Sequence, residues 1–461
     1  GINKTETAVL WKTGKMWFRV PETVKIVLKN RLPEGVFAKD LALWIKGILS
    51  KLDVNGLAIE YHGEGVASLS IDDRMTIANI STEMGVVSSA FPPDDRLADY
   101  FNEPAVRGVW ADEEAVYSRF IEIDLANVFP MVYDTGNNVL QGVEELVGLK
   151  IQQGLIGACA SGRLEDLRLV SMILEGKHIA NGFQLFVVPA SRDIYLRAVE
   201  EGIIDKIAQS GAMVLGSSCG PCLGVGRVAS VGNSRFISTA NSQYIGGTNH
   251  SGVEKYIASP ATVAMTALRG ELTPMIHFEG TQYKYNIPRV EPVVLGEYDY
   301  RKSNGVWNYG DIDNISSNQI FSEKLTCRLT LEQVEEIKPY LFKGLDPNFT
   351  CDVKPGDIII AGENFGCGQL VKHAATGLVA VGVKLVIAKS VNRDFYRMAI
   401  NHGLRILVDW AVVDAYTSGE QLTIDDENHL LYLNERAYKL PYVDAEFQKI
   451  LEKGGLVNAF S

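Results

Sequence analysis

Three cysteines in small-residue turns are the residues of this chain most suited to chemistry. Cys159 closes the run Leu155-Ile156-Gly157-Ala158-Cys159, a short apolar strand pattern entering a turn, with Arg163 and a helical pattern soon after. Cys219 and Cys222 lie in Met213-Val214-Leu215-Gly216-Ser217-Ser218-Cys219-Gly220-Pro221-Cys222, a second strand pattern entering a turn. Two thiolates separated only by Gly220-Pro221 can face one metal centre. Three protein thiolates in place of four would leave one iron of a cubane open as a Lewis acid for a substrate hydroxyl. The same residues admit a plainer reading, with Cys219 and Cys222 as a redox dithiol or a buried turn and Cys159 as an unrelated core cysteine. Spacing alone leaves both readings open.

The elements around these turns give an α/β pattern. Up to about Glu145, strand-like runs such as Val24 to Leu28 alternate with helix-period segments at Lys39 to Leu49 and Asp73 to Met84. From 146 to 272 the alternation is clearer: strand Leu155 to Cys159, helix Leu164 to Leu174, strand Phe183 to Val188, a helix from about Ser191, strand Ala212 to Leu215. Such a run implies parallel strands joined by crossover helices, with ligands at the carboxyl edge of the sheet. Between 273 and 306 the periodicity lapses into Gly, Pro and charge, which marks a linker. From 307 to 461 the rhythm resumes: strand Ile358 to Ala361, helix Gln369 to Val381, strand Leu385 to Ala388, helix Asn392 to Asn401, strand Arg405 to Val408, then a hairpin and a helix from Asp444 to Lys453.

Composition narrows the function classes. The chain has 461 residues, 46% of them hydrophobic, and a formal net charge of -12 with no run of Lys or Arg, which argues against nucleic acid as a partner. No apolar stretch approaches the roughly 20 residues that span a bilayer, so no membrane partner is expected. Six cysteines in so long a chain suit metal ligation in a reducing compartment better than a disulfide framework. The expected setting is cytoplasmic, or mitochondrial in a eukaryote, as a monomer or small homo-oligomer. His62, His250 and His277 are read as local hydrogen-bonding groups, and Trp17, Phe18, Met75 and Phe91 as core.

The cysteine turns resemble those of the aconitase superfamily: GACASGRLEDL is similar to the family's first cluster-binding segment and SSCGPCLG to its second. Collinear with them, MWFRVPETVKIVLKNRLPEGVFAKDLAL, DRMTIANISTEMGVVSSAFPPDD, FVVPASRD and IASPATVAMTAL resemble the family's large half, while GDIDNISSNQI and IIIAGENFGCG with its sequel resemble the small, swivelling domain. STEMGVVSSAFPPDD and AGENFGCG lean toward the homoaconitase and 3-isopropylmalate dehydratase branches. The resemblance implies aconitase-like α/β/α domains with parallel sheets plus a C-terminal swivelling β/β/α domain. It also implies a [4Fe-4S] cluster on Cys159, Cys219 and Cys222, and a hydro-lyase that dehydrates and rehydrates a 2- or 3-hydroxy di- or tricarboxylic acid. By the same resemblance Glu83 manages the proton of the departing hydroxyl and Asn79 lies near the cluster. Taken without that context, Glu83 reads as an ordinary solvated carboxylate.

Several positions depart from the family pattern. Where the family carries Ser-Ser-Arg, with a basic Ser and a carboxylate-binding Arg, this chain reads Gln369-Leu370-Val371-Lys372-His373. Asn241 is kept, but Ser242 and Gly247 stand where arginines would hold substrate carboxylates, and Ala160-Ser161 replace Thr-Asn after Cys159. Substrate contacts are therefore expected from Asn241, Ser242, Arg163, Arg227 and Gln369, with Lys372 and His373 taking the altered catalytic turn; Arg393 is a further candidate cation. A catalytically impaired paralogue with a structural or redox-sensing cluster is the alternative. The first residue is Gly and the family's Asp-Ser-His-Thr segment would precede it, so upstream sequence is expected to exist.

Overall fold

Strand Thr23–Lys29 (β1) shows how the first sheet forms, since its residues alternate between half-buried and buried with Val24, Ile26 and Leu28 facing inward. With β2 (Ala58–His62), β3 (Ser88–Ala90) and β4 (Arg119–Asp124) it makes a four-stranded parallel sheet in the order β3-β2-β1-β4. The structure, a computed structural model, describes residues 2, 4–52, 54, 56–102, 108–218, 234–241, 253–276, 284–286, 293, 295–296, 300–321, 336, 338–368, 371–425, 428–440 and 445–460.

The larger sheet has eight strands: β5 (Met131–Asp134), β6 (Val139–Gly142), β7 (Gln153–Gly157), β8 (Gln184–Val188), β9 (Met213–Val214), β10 (Arg235–Ser238), β11 (Glu254–Ala258) and β12 (Lys284–Asn286). Their order is β12-β6-β5-β11-β10-β7-β8-β9, and the run from β11 to β9 is parallel throughout. Its inner strands are buried on both faces, which explains why Leu155-Ile156 and Leu185-Phe186-Val187-Val188 are continuous apolar runs without alternation. One core cluster joins this sheet to the four-stranded one; another fills its opposite face. The position expected as a domain boundary, 145/146, lies between β6 and β7 and so within a single sheet. Its antiparallel edge comes from residues on both sides of that point.

The chain divides into two compact units, Pro21–Arg289 and Gly1–Val20 with Val290–Ser461. The irregular stretch 273–306 is not all linker, because β12 completes the large sheet and β13 (Lys302–Ser303) pairs with β14 (Val306–Tyr309). The second unit continues with β15 (Ile358–Ala361), β16 (Leu385–Ala388) and β17 (Arg405–Val408), giving the sheet order β13-β14-β15-β16-β17. A three-stranded antiparallel meander, β18 (Leu422–Asp425), β19 (Leu430–Leu433) and β20 (Arg436–Lys439), stands where the sequence suggested one hairpin. Helices Val371–Ala380 and Arg393–Asn401 pack on the sheet, and Ala445–Glu452 and Leu456–Phe460 close the chain.

Helix Lys4–Thr13 and the extended residues after it belong to this second unit. A buried ion pair from Arg397 to Glu6, a 2.6 Å hydrogen bond from Asn401 to the same carboxylate and another from the Trp17 indole to Asn401 hold them there. Trp17 packs edge-on against Phe447, whereas Phe18 is 69% exposed and not core as its type suggested. Extended backbone sends neighbouring side chains to opposite sides, so one of the two aromatic rings must face out. Met75 and Phe91 are half-buried, and His62 bonds locally to Glu60 and Tyr117.

Candidate active site at the carboxyl edge of the large sheet

Cys159 does not end a strand, as the run Leu155 to Cys159 suggested; β7 stops at Gly157 and the thiol sits on the single helical turn Ala158–Ser161. The cause is local. Gly157 has φ +119°, and a Cβ there would meet the Val188 carbonyl oxygen at 2.0 Å, so only glycine lets β7 approach β8 and then turn away. Ala158 follows at φ +56°, and the Gly157 amide donates to Thr239 Oγ1 at 2.9 Å. The turn leaves the Cys159 thiol exposed at the edge of the sheet.

Arg163 anchors that turn from beneath. Its guanidinium donates to the Cys159 carbonyl at 3.1 Å, the Ala160 carbonyl at 3.2 Å and Thr76 Oγ1 at 2.9 Å, and the residue is 8% exposed. Its place is therefore inside the protein, tying the cysteine turn to helix Ile71–Ile80, and not reaching out as the substrate clamp expected of it. The helix that follows, Leu164–Leu174, starts with the Arg163 amide donating to Asp166, whose carboxyl burial pushes up to about 7.

Helix Ile71–Ile80 begins with a reciprocal cap, Asp73 N to Ser70 Oγ at 3.1 Å and Ser70 N to Asp73 Oδ2 at 3.0 Å. It delivers Asn79 in its last turn and passes into a 3-10 turn, Ser81–Met84, that carries Glu83. Asn241, just beyond β10, donates through Nδ2 to Asn79 Oδ1 at 2.8 Å. The structure thus joins two residues that lie far apart in sequence and that the family resemblance singled out separately.

Two lysines that sequence reasoning missed complete the cluster. Helix Ala38–Leu49 is buried almost all round and carries Lys39, Asp40 and Lys46 into the interior. Lys39 is 2% exposed, and its Nζ reaches Asn241 Oδ1 at 3.5 Å. Burial lowers its ammonium to about 8, opposed by Glu83 and, more weakly, by Asp166 and Cys159, while Lys46 adds to the lowering. Lys46 meets Glu83 in an ion pair of 2.5 Å, with side chains 7% and 2% exposed, and its ammonium lies 4.5 Å from the centre of the Tyr133 ring. Glu83 is thus not the solvated carboxylate that its position on a polar helix end suggested. Two lysines and an aspartate within an apolar helix are a legible signal, because a buried charge demands a partner.

Of the three expected cluster ligands, Cys159 is described, whereas Cys219 and Cys222 lie outside the described residues, as do Ser242, Arg227, Gln369 and Leu370. What is described fits such a group. Strands β10, β7, β8 and β9 run in parallel, so Asn241, Cys159 and the chain leading through Leu215 to Ser218 toward Cys219 all leave the same edge. β7 and β9 are separated by one strand, about 10 Å at the usual spacing. Beside the exposed thiol, the Ser161 hydroxyl is buried without a partner, leaving an O–H for an added group.

In the other unit, Lys372 is exposed on the first turn of helix Val371–Ala380. His373 is half-buried with its ring 5.6 Å from that of Phe321; burial first and then Lys372 lower its pKa. Arg393 is ion-paired with its neighbour Asp394 at 3.6 Å. Cys367 donates to the Asn314 carbonyl, and burial pushes its thiol up to about 11.

An exposed cysteine turn and a buried Lys-Asn-Asn network thus meet at the carboxyl edge of a parallel sheet in an α/β protein. The chain belongs to the aconitase family (aconitate hydratase), whose model matches residues 1–138 and 133–270, while the aconitase C-terminal domain model matches 307–408. Among its relatives, 3-isopropylmalate dehydratase large subunit 1 of Methanopyrus kandleri is 38% identical over 278 residues, covering 59% of this chain and 66% of the relative. Mitochondrial homoaconitase of Debaryomyces hansenii is 29% identical over 519 residues, covering 99% of this chain and 74% of the relative. The crystal structure of a 3-isopropylmalate dehydratase from a Methanocaldococcus is 34% identical, covering 32% of this chain and 86% of that one, with a TM-score of 0.29 that carries no structural argument. The chain spans about two thirds of the length of the dehydratase large subunits it matches. Family membership implies an iron-sulfur cluster in general terms. No helix among the described residues is long and apolar enough to cross a membrane.

Proposed function

We propose that the chain is a hydro-lyase that removes and re-adds water on a 2- or 3-hydroxy di- or tricarboxylic acid, with a [4Fe-4S] cluster held by Cys159, Cys219 and Cys222. The observation that carries the reading is the Asn79, Asn241, Lys39 and Glu83 cluster at the sheet edge where the Cys159 thiol is exposed. A cluster bound there by three thiolates supplies a Lewis acid for a substrate hydroxyl.

The chain's own residues prepare the rest. Lys46 holds the Glu83 side chain in an ion pair and so fixes its position; a positioned carboxylate can serve as a general base. Lys39 holds the Asn241 carboxamide through its oxygen, which leaves the amide nitrogen directed at Asn79. Arg163 fixes the carbonyl of Cys159 and with it the direction of the thiol. A substrate with fewer carboxylates than a tricarboxylate suits the loss of arginines at 242 and 247, since each charged contact is worth about 1.5–3 kcal/mol. The compartment that suits this reading is the cytoplasm, or the mitochondrion in a eukaryote.

Anaerobically purified protein, reconstituted with iron and sulfide, is expected to be brown, to bind iron and to hydrate members of a panel of unsaturated di- and tricarboxylic acids. Cys159→Ser abolishes both colour and turnover. A colourless, iron-free preparation after reconstitution overturns the proposal. Leu370 and Val371, where a base and an arginine are expected, favour a second reading as an impaired paralogue that keeps its cluster. Brown protein inactive on the whole panel, and not rescued by Leu370→Ser with Val371→Arg, supports that one.

A further inference from the structure

The second unit contains a cavity of about 660 Å³ whose described lining residues all fall within 6–19 and 385–460. That volume lies within the 300–1,000 Å³ typical of small-molecule sites. Its walls are the extended segment after helix Lys4–Thr13, the edge strand β17, helix Arg393–Asn401 and the two C-terminal helices. Trp17, Ile406, Phe447 and Leu451 make much of the wall apolar.

Charge is distributed unevenly around it. Among the described residues, Lys15, Arg19, Arg397 and Arg405 line the cavity together with the carboxylate of Glu6. Glu6 is already committed, since Arg397 Nε and Asn401 Nδ2 both donate to its Oε1. In a chain of net charge -12, the cations among these described residues favour an anion over a neutral ligand. Arg397 is also incompletely satisfied. Its Nη1 donates to the Trp17 carbonyl at 3.2 Å, but its Nη2 is buried with no acceptor. The Trp17 ring, 4.5 Å away, covers a face of the guanidinium and offers no in-plane acceptor. A buried donor left unpaired is costly, and a ligand oxygen entering beside it recovers that cost.

We propose that this cavity is a binding site for a small amphipathic carboxylate, its apolar chain packed among Trp17, Ile406 and Phe447 and its head group toward the arginines. The site belongs to one unit and is independent of the chemistry proposed at the Cys159 edge. Exposed Phe18, 5.7 Å from the Arg397 guanidinium, is the side chain that must shift to admit the head group.

Decanoate and decan-1-ol, titrated calorimetrically into the whole chain, test this. Decanoate is expected to bind saturably with one site per chain, and decanol at least about tenfold more weakly because it lacks the charge. Val408→Trp fills the cavity from an exposed position on β17 and is expected to weaken decanoate by about tenfold or more. Lys15→Ala with Arg19→Ala, both exposed and therefore harmless to folding, is expected to weaken decanoate by about threefold and leave decanol unchanged. Absence of saturable decanoate binding overturns the proposal, as does equal affinity for decanol, or binding by Val408→Trp that matches the unaltered chain.

Discussion

The turn at Cys159 and the turn before helix Val371–Ala380 both resemble catalytic turns of one family, yet their surroundings differ. At Cys159 the family-like residues rest on a buried scaffold: Arg163 beneath the turn, Lys46 on Glu83, Lys39 on Asn241. On the first turn of Val371–Ala380, the described polar residues are an exposed lysine, Lys372, and a half-buried histidine, His373, against Phe321. Buried charge is expensive to maintain, so a chain that keeps it has its site organisation there. Exposed charge costs little to keep or lose, and it carries correspondingly little information about function.

Lys46→Met should do the most to sharpen that contrast. It strands the Glu83 carboxylate in a site where that side chain is 2% exposed, and unfolding in denaturant is expected to show a loss of about 3–5 kcal/mol. A loss below about 1 kcal/mol would mean that water reaches Glu83 and that the scaffold is not dry.

A smaller effect, visible through pH, is expected at Lys39. Its folded-state pKa of about 8 lies below the ordinary lysine value of 10.5, so between those values the unfolded chain binds the extra proton. Stability from this group therefore rises with pH across that window, by an amount on the order of 2–3 kcal/mol. Lys39→Met should flatten the rise in denaturation curves taken from pH 8 to 10. Its neighbour Asp40, pushed up to about 7 by burial, acts in the opposite sense between pH 4 and 7 and should persist in the variant.

The smallest expected effect belongs to the other turn. Lys372→Ala should change stability by less than about 0.5 kcal/mol, as exposed substitutions do. Its reading as a catalytic replacement is tested separately by kcat/KM on the acid that is hydrated fastest. A fall of about tenfold or more would show that this turn works despite its lack of buried support.

Much of the architecture was legible in the chain. The continuous apolar runs Leu155-Ile156 and Leu185 to Val188 announce strands buried on both faces, and the small residues after each announce the carboxyl-edge turns. Cys159 and Asn241 were likewise visible as candidates from their motifs. Less visible was the burial of Glu83, because the helix expected to run from Asp73 to Met84 tightens into a 3-10 turn after Ile80 and carries that carboxylate inward. Arg163 read as a substrate clamp because a sequence records an arginine's charge and not the carbonyls it is spent on.

Local pattern by itself determined most of the succession of strands and helices, since backbone sterics and apolar periodicity act over a few residues, while the family came from the resemblance of collinear motifs along the chain. The tertiary structure alone decided that Asn79 meets Asn241, that Lys39 reaches Asn241 and Lys46 pairs with Glu83 from a different helix, and that the first twenty residues join the second unit. Those outcomes depend on which buried charge finds which partner across long sequence distances. Desolvation makes such pairing obligatory, and only the packed chain fixes the choice of partner.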